Sequence, residues 1–187
     1  LPIKNTVGGY LLGEWGLDSC AGIGTMTYYD DSNNYFAALG HGICDCDTAA
    51  LLPLKSGEAV RAEISGIEKS VCGKAGSFCG YFTDVKFGNL SVNSPLGIFG
   101  DLTSENYKRS KKYLIANDDE VKTGKAVMVT TPVGDTPQEY DIEIKRICNR
   151  DMTSNENFVI KITDSRLLEN CGGIVQGMSG SPIVQKR

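Results

Sequence analysis

Between residues 23 and 162 glycine, asparagine and aspartate cut the chain into short β-branched and aromatic runs, which leaves little room for helices. Residues 23–29, then Asp30-Asp31-Ser32-Asn33-Asn34, then residues 35–39 read as strand, turn and strand. Further strand runs fall at 59–64, 85–90, 126–129, 140–147 and 158–162. The last two alternate with a period of two, so each has one face toward water. Helix signals are confined to 105–114 and to 165–170, the latter closed by Cys171-Gly172-Gly173. Many short strands separated by turns specify an all-β barrel or sandwich. Polar and turn residues concentrate in 93–119, which is where a boundary between two subdomains is expected.

The 187 residues suffice for one sizeable core or two small barrels sharing a cleft. A net charge of −4 argues against nucleic acid as the main partner, because phosphate binding needs clustered Lys and Arg. The one basic cluster, Lys108-Arg109-Ser110-Lys111-Lys112, reads as a solvated helix face or loop. No apolar stretch approaches the roughly 18 residues of a membrane span, and Leu1-Pro2-Ile3-Lys4 does not begin a signal peptide. The chain lacks an initiator methionine, so its localisation stays open at this level.

Seven cysteines are an odd number, so at least one stays outside any intramolecular disulfide. Cys72 and Cys79 flank a run read as a hairpin tip and can be bridged only if their Cα atoms come within about 7 Å. One histidine and no paired C-x-x-C make a zinc site a poor reading, and no metal is expected. Buried free thiols are the default for the remainder.

Two segments carry chemistry. Gly177-Met178-Ser179-Gly180-Ser181-Pro182 places a serine between glycines, so the backbone can turn sharply past the hydroxyl. The amides of Gly177 and Ser179 are candidates for an oxyanion hole around Ser179 as nucleophile. A Gly-Ser-Pro turn joining two strands is the plain alternative. The segment fails the G-x-S-x-G elbow at its last position, and neither a Walker loop nor a dinucleotide fingerprint is present. A serine hydroxyl needs an adjacent base, and imidazole has the matching proton affinity. His41, in Ala38-Leu39-Gly40-His41-Gly42-Ile43, is the only histidine, and the run at 35–39 would deliver it to a strand end.

Leu12-Gly13-Glu14-Trp15, Ala21-Gly22-Ile23-Gly24-Thr25, the His41 segment and Gly172-Gly173-Ile174-Val175-Gln176 running into the Ser179 segment together resemble the peptidase family of stage IV sporulation protein B, family S55. That resemblance implies a chymotrypsin-like fold of two six-stranded β-barrels, about 1–100 and 101–187, with the active site between them. It implies Ser179 as nucleophile, His41 as general base and Asp164 as the acid, with no cofactor. Asp164 also sits where the helix at 165–170 needs an N-cap, and Asp84, Asp101 and Asp45 are the other acids to test. The family usually carries an N-terminal membrane segment and a PDZ domain, neither of them in this sequence. The implied role is sporulation signalling: self-cleavage and cleavage of a membrane-bound regulator, outside the cytoplasm between the mother-cell and forespore membranes. Only five residues follow Pro182, so an incomplete second barrel and low activity are expected of these residues alone. The rivals are a pseudo-peptidase kept as a protein-binding module, and a thiol enzyme pairing Cys44, Cys46 or Cys171 with His41.

Overall fold

In a computed structural model the chain is all-β, with a single short helix among the described residues 3–4, 10–11, 20–103, 111–148 and 156–185. The strands are β1 (Ile3–Lys4), β2 (Tyr10–Leu11), β3 (Met26–Asp30), β4 (Tyr35–Ala38), β5 (Gly57–Glu68), β6 (Gly76–Ser94) and β7 (Gly97–Leu102). Then come β8 (Gly124–Thr130), β9 (Gln138–Ile147), β10 (Phe158–Ile162), helix α1 (Ser165–Cys171), β11 (Val175–Gln176) and β12 (Ile183–Val184). β1 and β2 form a separate antiparallel pair.

The larger sheet runs β11-β6-β7-β4-β3, with β5 also paired to β6. Its β3–β4 turn is built by side chains of the predicted turn. Asp30 Oδ1 accepts from the Ser32 amide at 2.9 Å, Asn33 Oδ1 accepts from Tyr35 N at 3.0 Å, and Asn34 takes a left-handed φ of 57°. β4 lies between β3 and β7, so Phe36, Ala37 and Ala38 are all buried, as expected of a continuous apolar run in a central strand. Phe36, Ala38 and Ile98 form the core of this sheet, with Met26, Leu39, Ile43 and Leu90 packed around them.

The second sheet runs β10-β9-β8-β12, antiparallel throughout. Period-two alternation in β9 sends Tyr140, Ile142 and Ile144 inward while Asp141 and Lys145 stay exposed. Those three inward residues, with Met128, Leu167, Cys171, Val175 and Met178, make a larger core that α1 covers. α1 forms where expected: Asp164 caps its first turn and Gly172, at φ 74°, ends it.

The all-β class expected from the sequence holds: where the resemblance implied two barrels, the second incomplete, the strands form two sheets that are open among the described residues, each outer strand paired on one side only. Three expectations change. Residues 111–114 of the helix expected at 105–114 have no regular structure, and 104–110 lie outside the described residues. Lys111 and Lys112 are exposed and pair with Glu139 and Asp31. The hairpin tip lies earlier than expected, at the Val71–Lys74 bridge, so Cys79 belongs to β6, opposite Gly66. All seven cysteines are free, and only Cys171 is buried; Cys20, Cys44, Cys46, Cys72 and Cys79 are exposed.

Candidate active site

The Ser179 segment follows β11, and its shape is set by two tight turns. Met178 N donates to Val175 O at 3.2 Å, and Ser181 N donates to Met178 O at 3.0 Å. Gly177 and Gly180 have φ of 106° and 88°, a region that side-chain-bearing residues avoid. At Gly180 a Cβ would collide with Thr25 O and with the Leu39 amide, so the backbone of the first sheet lies directly against it. Met178, only 4% exposed, plugs the segment into the second core. The amides of Gly177 and Ser179 lie on this turn, beside the internally bonded amides of Met178 and Ser181, and remain the candidate oxyanion donors.

His41 follows a sharp corner at the end of β4. Leu39 and Gly40 both take positive φ, 71° and 70°, and Gly40 N donates to Ala38 O at 3.0 Å. A left-handed leucine is strained and needs its surroundings to hold it. Here Leu39 packs on the first core, and its amide donates to Thr25 O at 3.1 Å. The imidazole is exposed, with Nδ1 2.9 Å from Gly42 O. A carbonyl only accepts, so that contact places the ring proton on Nδ1 and leaves the Nε2 lone pair free, the tautomer a general base requires.

Asn93, near the end of β6, secures the loop that follows His41. Its Oδ1 accepts from Ile43 N at 2.9 Å, and its Nδ2 donates to Ile43 O at 2.8 Å and to Leu52 O at 2.9 Å. Only this orientation of the amide satisfies all three groups.

Thr25 joins the two segments. Its amide donates to Ser179 O at 2.9 Å, its Oγ1 donates to Gly177 O at 3.2 Å, and its carbonyl takes the Leu39 amide. Ser181 Oγ reaches Thr25 Oγ1 at 3.5 Å. Neither Thr25 nor Asn93 stands out in the sequence as a site residue. Thr25 occurs in the Ala21–Thr25 block of the resemblance, whereas no local signal marks Asn93.

The structure therefore brings the Ser179 and His41 segments onto one backbone seam, without a direct hydrogen bond between the two side chains among the described residues. Catalytic hydrogen bonds often tighten only when substrate is bound. Asp164 sits elsewhere in the hydrogen-bond network. Buried at 8% exposure, it accepts from Arg166 N at 2.9 Å, Arg166 Nε at 3.1 Å, Arg166 Nη2 at 2.7 Å and Asp141 N at 3.2 Å. The Arg166 guanidinium holds its carboxyl well below the usual range, at about 2, with the backbone donors adding to the effect and burial opposing it.

The other acids are placed as follows. Asp45 Oδ1 caps its own turn through Asp47 N, Thr48 N and Thr48 Oγ1. Asp101 pairs with Tyr35, at the opposite end of β4 from His41. Asp84 lies in β6, within its long hairpin with β5.

Of the candidate thiols, Cys171 lies in the second core, and burial pushes its pKa up, which disfavours the thiolate a nucleophile needs. Cys44 Sγ lies 3.9 Å from Gly42 O, the carbonyl that also meets His41 Nδ1. Beside Ser179 an open cavity of about 390 Å³ is walled by Met128, Ile160, Ile174, Val175, Met178 and Ile183. Those walls suit apolar groups.

No helix among the described residues is long and apolar enough to cross a membrane. No curated protein and no solved structure matches the chain. The family described as SpoIVB peptidase S55 matches residues 8–187, which include both the His41 and the Ser179 segments. With nearly its whole length matched, the chain belongs to the SpoIVB peptidase S55 family, a family of sporulation serine peptidases.

Proposed function

We propose that this chain is a serine endopeptidase domain in which Ser179 and His41 are the reacting pair. Ser179 Oγ attacks the peptide carbonyl as its proton passes to His41 Nε2. The Gly177 and Ser179 amides stabilise the oxyanion of the tetrahedral intermediate. Collapse breaks the C–N bond, the imidazolium protonates the leaving amine, and water then hydrolyses the acyl-enzyme by the same route in reverse. No metal or organic cofactor enters this scheme. The observation that carries it is the shared seam, which sets the Ser179 turn against the strand end that delivers a histidine with Nε2 free.

Asp164 completes the proposed triad on the strength of the family resemblance. For that role His41 Nδ1 would exchange Gly42 O for a carboxylate oxygen that Arg166 and Asp141 now occupy.

The biological reading follows the family. The domain cleaves itself and a membrane-bound regulatory protein between the mother-cell and forespore membranes, and so triggers late sporulation transcription. A protein-binding module without turnover is the second reading, favoured by the lack of a Ser179–His41 hydrogen bond among the described residues.

Intact mass after treatment with a fluorophosphonate tests the chemistry. One adduct on the wild type is expected, none on Ser179→Ala, and labelling slower by about 10² to 10⁴ in His41→Ala. A wild type that takes no adduct would count against the reacting pair and favour the binding module. Loss of activity with iodoacetamide but not with the fluorophosphonate would point to a thiol enzyme.

A further inference from the structure

We infer that Thr25 is the positioning residue that sets the nucleophile turn and the histidine corner relative to each other; the inference rests on the serine peptidase reading above. Thr25 holds the carbonyls of Gly177 and Ser179, the same two residues whose amides would form the oxyanion hole. Fixing a carbonyl fixes the ψ of its residue and thereby the course of the turn. Two such bonds from one residue therefore hold the turn from Gly177 to Ser179 against rotation. On its other side Thr25 O takes the amide of Leu39, two residues before His41, in a corner whose positive φ angles do not hold themselves.

Close packing reinforces this arrangement. Gly180 lies so near Thr25 O and the Leu39 amide that no side chain fits between them. A displacement of Thr25 is thus transmitted to both Ser179 and His41. Thr25 touches no reacting atom and acts only through these two segments.

The two backbone bonds of Thr25 survive any substitution but proline, whereas the bond to Gly177 O needs a side-chain hydroxyl. Thr25→Val keeps the branched shape and removes Oγ1; Thr25→Ser keeps Oγ1 and removes the methyl group. Loss of one such bond, amplified by misplacement of the reacting groups, should slow fluorophosphonate labelling of Ser179 about 5- to 100-fold in Thr25→Val. Thr25→Ser should stay within about twofold of wild type. Rates are compared well below the melting temperature of each variant, where a residue that only stabilises the fold would leave them unchanged. Wild-type rates in Thr25→Val, or a Thr25→Ser variant as slow as Thr25→Val, would overturn the inference.

Hydrogen exchange decides the role of Thr25 even if the wild type takes no adduct and the peptidase reading itself fails. The amides of Met178 and Ser181, bonded within the turn, should exchange at least about fivefold faster in Thr25→Val and at the wild-type rate in Thr25→Ser. Unchanged exchange in Thr25→Val would show that its hydroxyl does not hold the turn. Should Thr25→Val fail to fold, Thr25→Ser still decides, because slow labelling or fast exchange in that variant contradicts a role for the hydroxyl.

Discussion

The segment that carries Ser179 and the segment that carries His41 are held by different means. Ser179 sits in two short turns whose central side chain, Met178, is buried in the larger core and whose carbonyls are bonded to Thr25. His41 is exposed, enters through a strained Leu39–Gly40 corner and leaves into a loop that Asn93 secures from β6. At the nucleophile the burial of Met178 adds to the polar bonds from Thr25, whereas the loop beyond the base is secured by polar bonds to its backbone. The two mechanisms have different costs of failure. A core side chain cannot be removed without leaving a cavity, but water can partly replace the bonds that secure an exposed loop.

The largest effect should therefore come from Met178→Ala. Removing this side chain from the core should cost about 2 to 5 kcal/mol of unfolding free energy, read from the denaturant midpoint. A cost below about 1 kcal/mol would mean that the nucleophile turn does not depend on the core, and the contrast between the two segments would fail.

Asn93→Ala tests the other side. It leaves Ile43 N, Ile43 O and Leu52 O without their side-chain partner at a half-buried site, at an expected cost of about 1 to 2 kcal/mol. Labelling of Ser179 should slow by up to about tenfold as the imidazole loses its fixed position. Stability lost with labelling unchanged would show that the loop beyond the corner has no part in placing His41.

Local chemistry was legible in the sequence and partner-dependent structure was not. β9 declares itself by alternation, the β3–β4 turn by its Asp and Asn side chains, and α1 by the Asp164 cap and Gly172 stop. β7 contains two glycines and lies among residues whose composition reads as a boundary. It forms because β4 and β6 flank it, and Gly100 is needed where Asn89 O presses close. β11 and β12 are two residues each and exist only through their partners β6 and β8. The same distinction holds at the site. Ser179 and His41 announce their chemistry by residue type, while Thr25 and Asn93 matter through what they touch, which no local pattern records.

Asp164 is where a local signal and a functional assignment meet on one carboxylate, and its expected effect on stability is the smallest of the three. Asp164→Asn removes the charge but keeps a good N-cap side chain, so it isolates the ion pair with Arg166 from the capping of α1. The carboxyl is lowered from an ordinary 3.8 to about 2 in the folded chain. A depressed carboxylate contributes stability that is fully present above the unfolded value and is lost as pH falls through the folded value. Arg166 is more than half exposed, so the contribution is reduced by solvent screening to on the order of 1 kcal/mol or less. The wild type should exceed the variant in stability by that margin above about pH 4 and lose the advantage as pH falls toward 2. A margin that does not change with pH would show that the loss comes from the cap and not from the charge. Turnover decides the second assignment. If Asp164 is the third member of the triad, the folded variant should turn over at least about tenfold more slowly at neutral pH. A smaller loss would leave the carboxylate to Arg166 and α1, with Gly42 O alone holding the His41 tautomer.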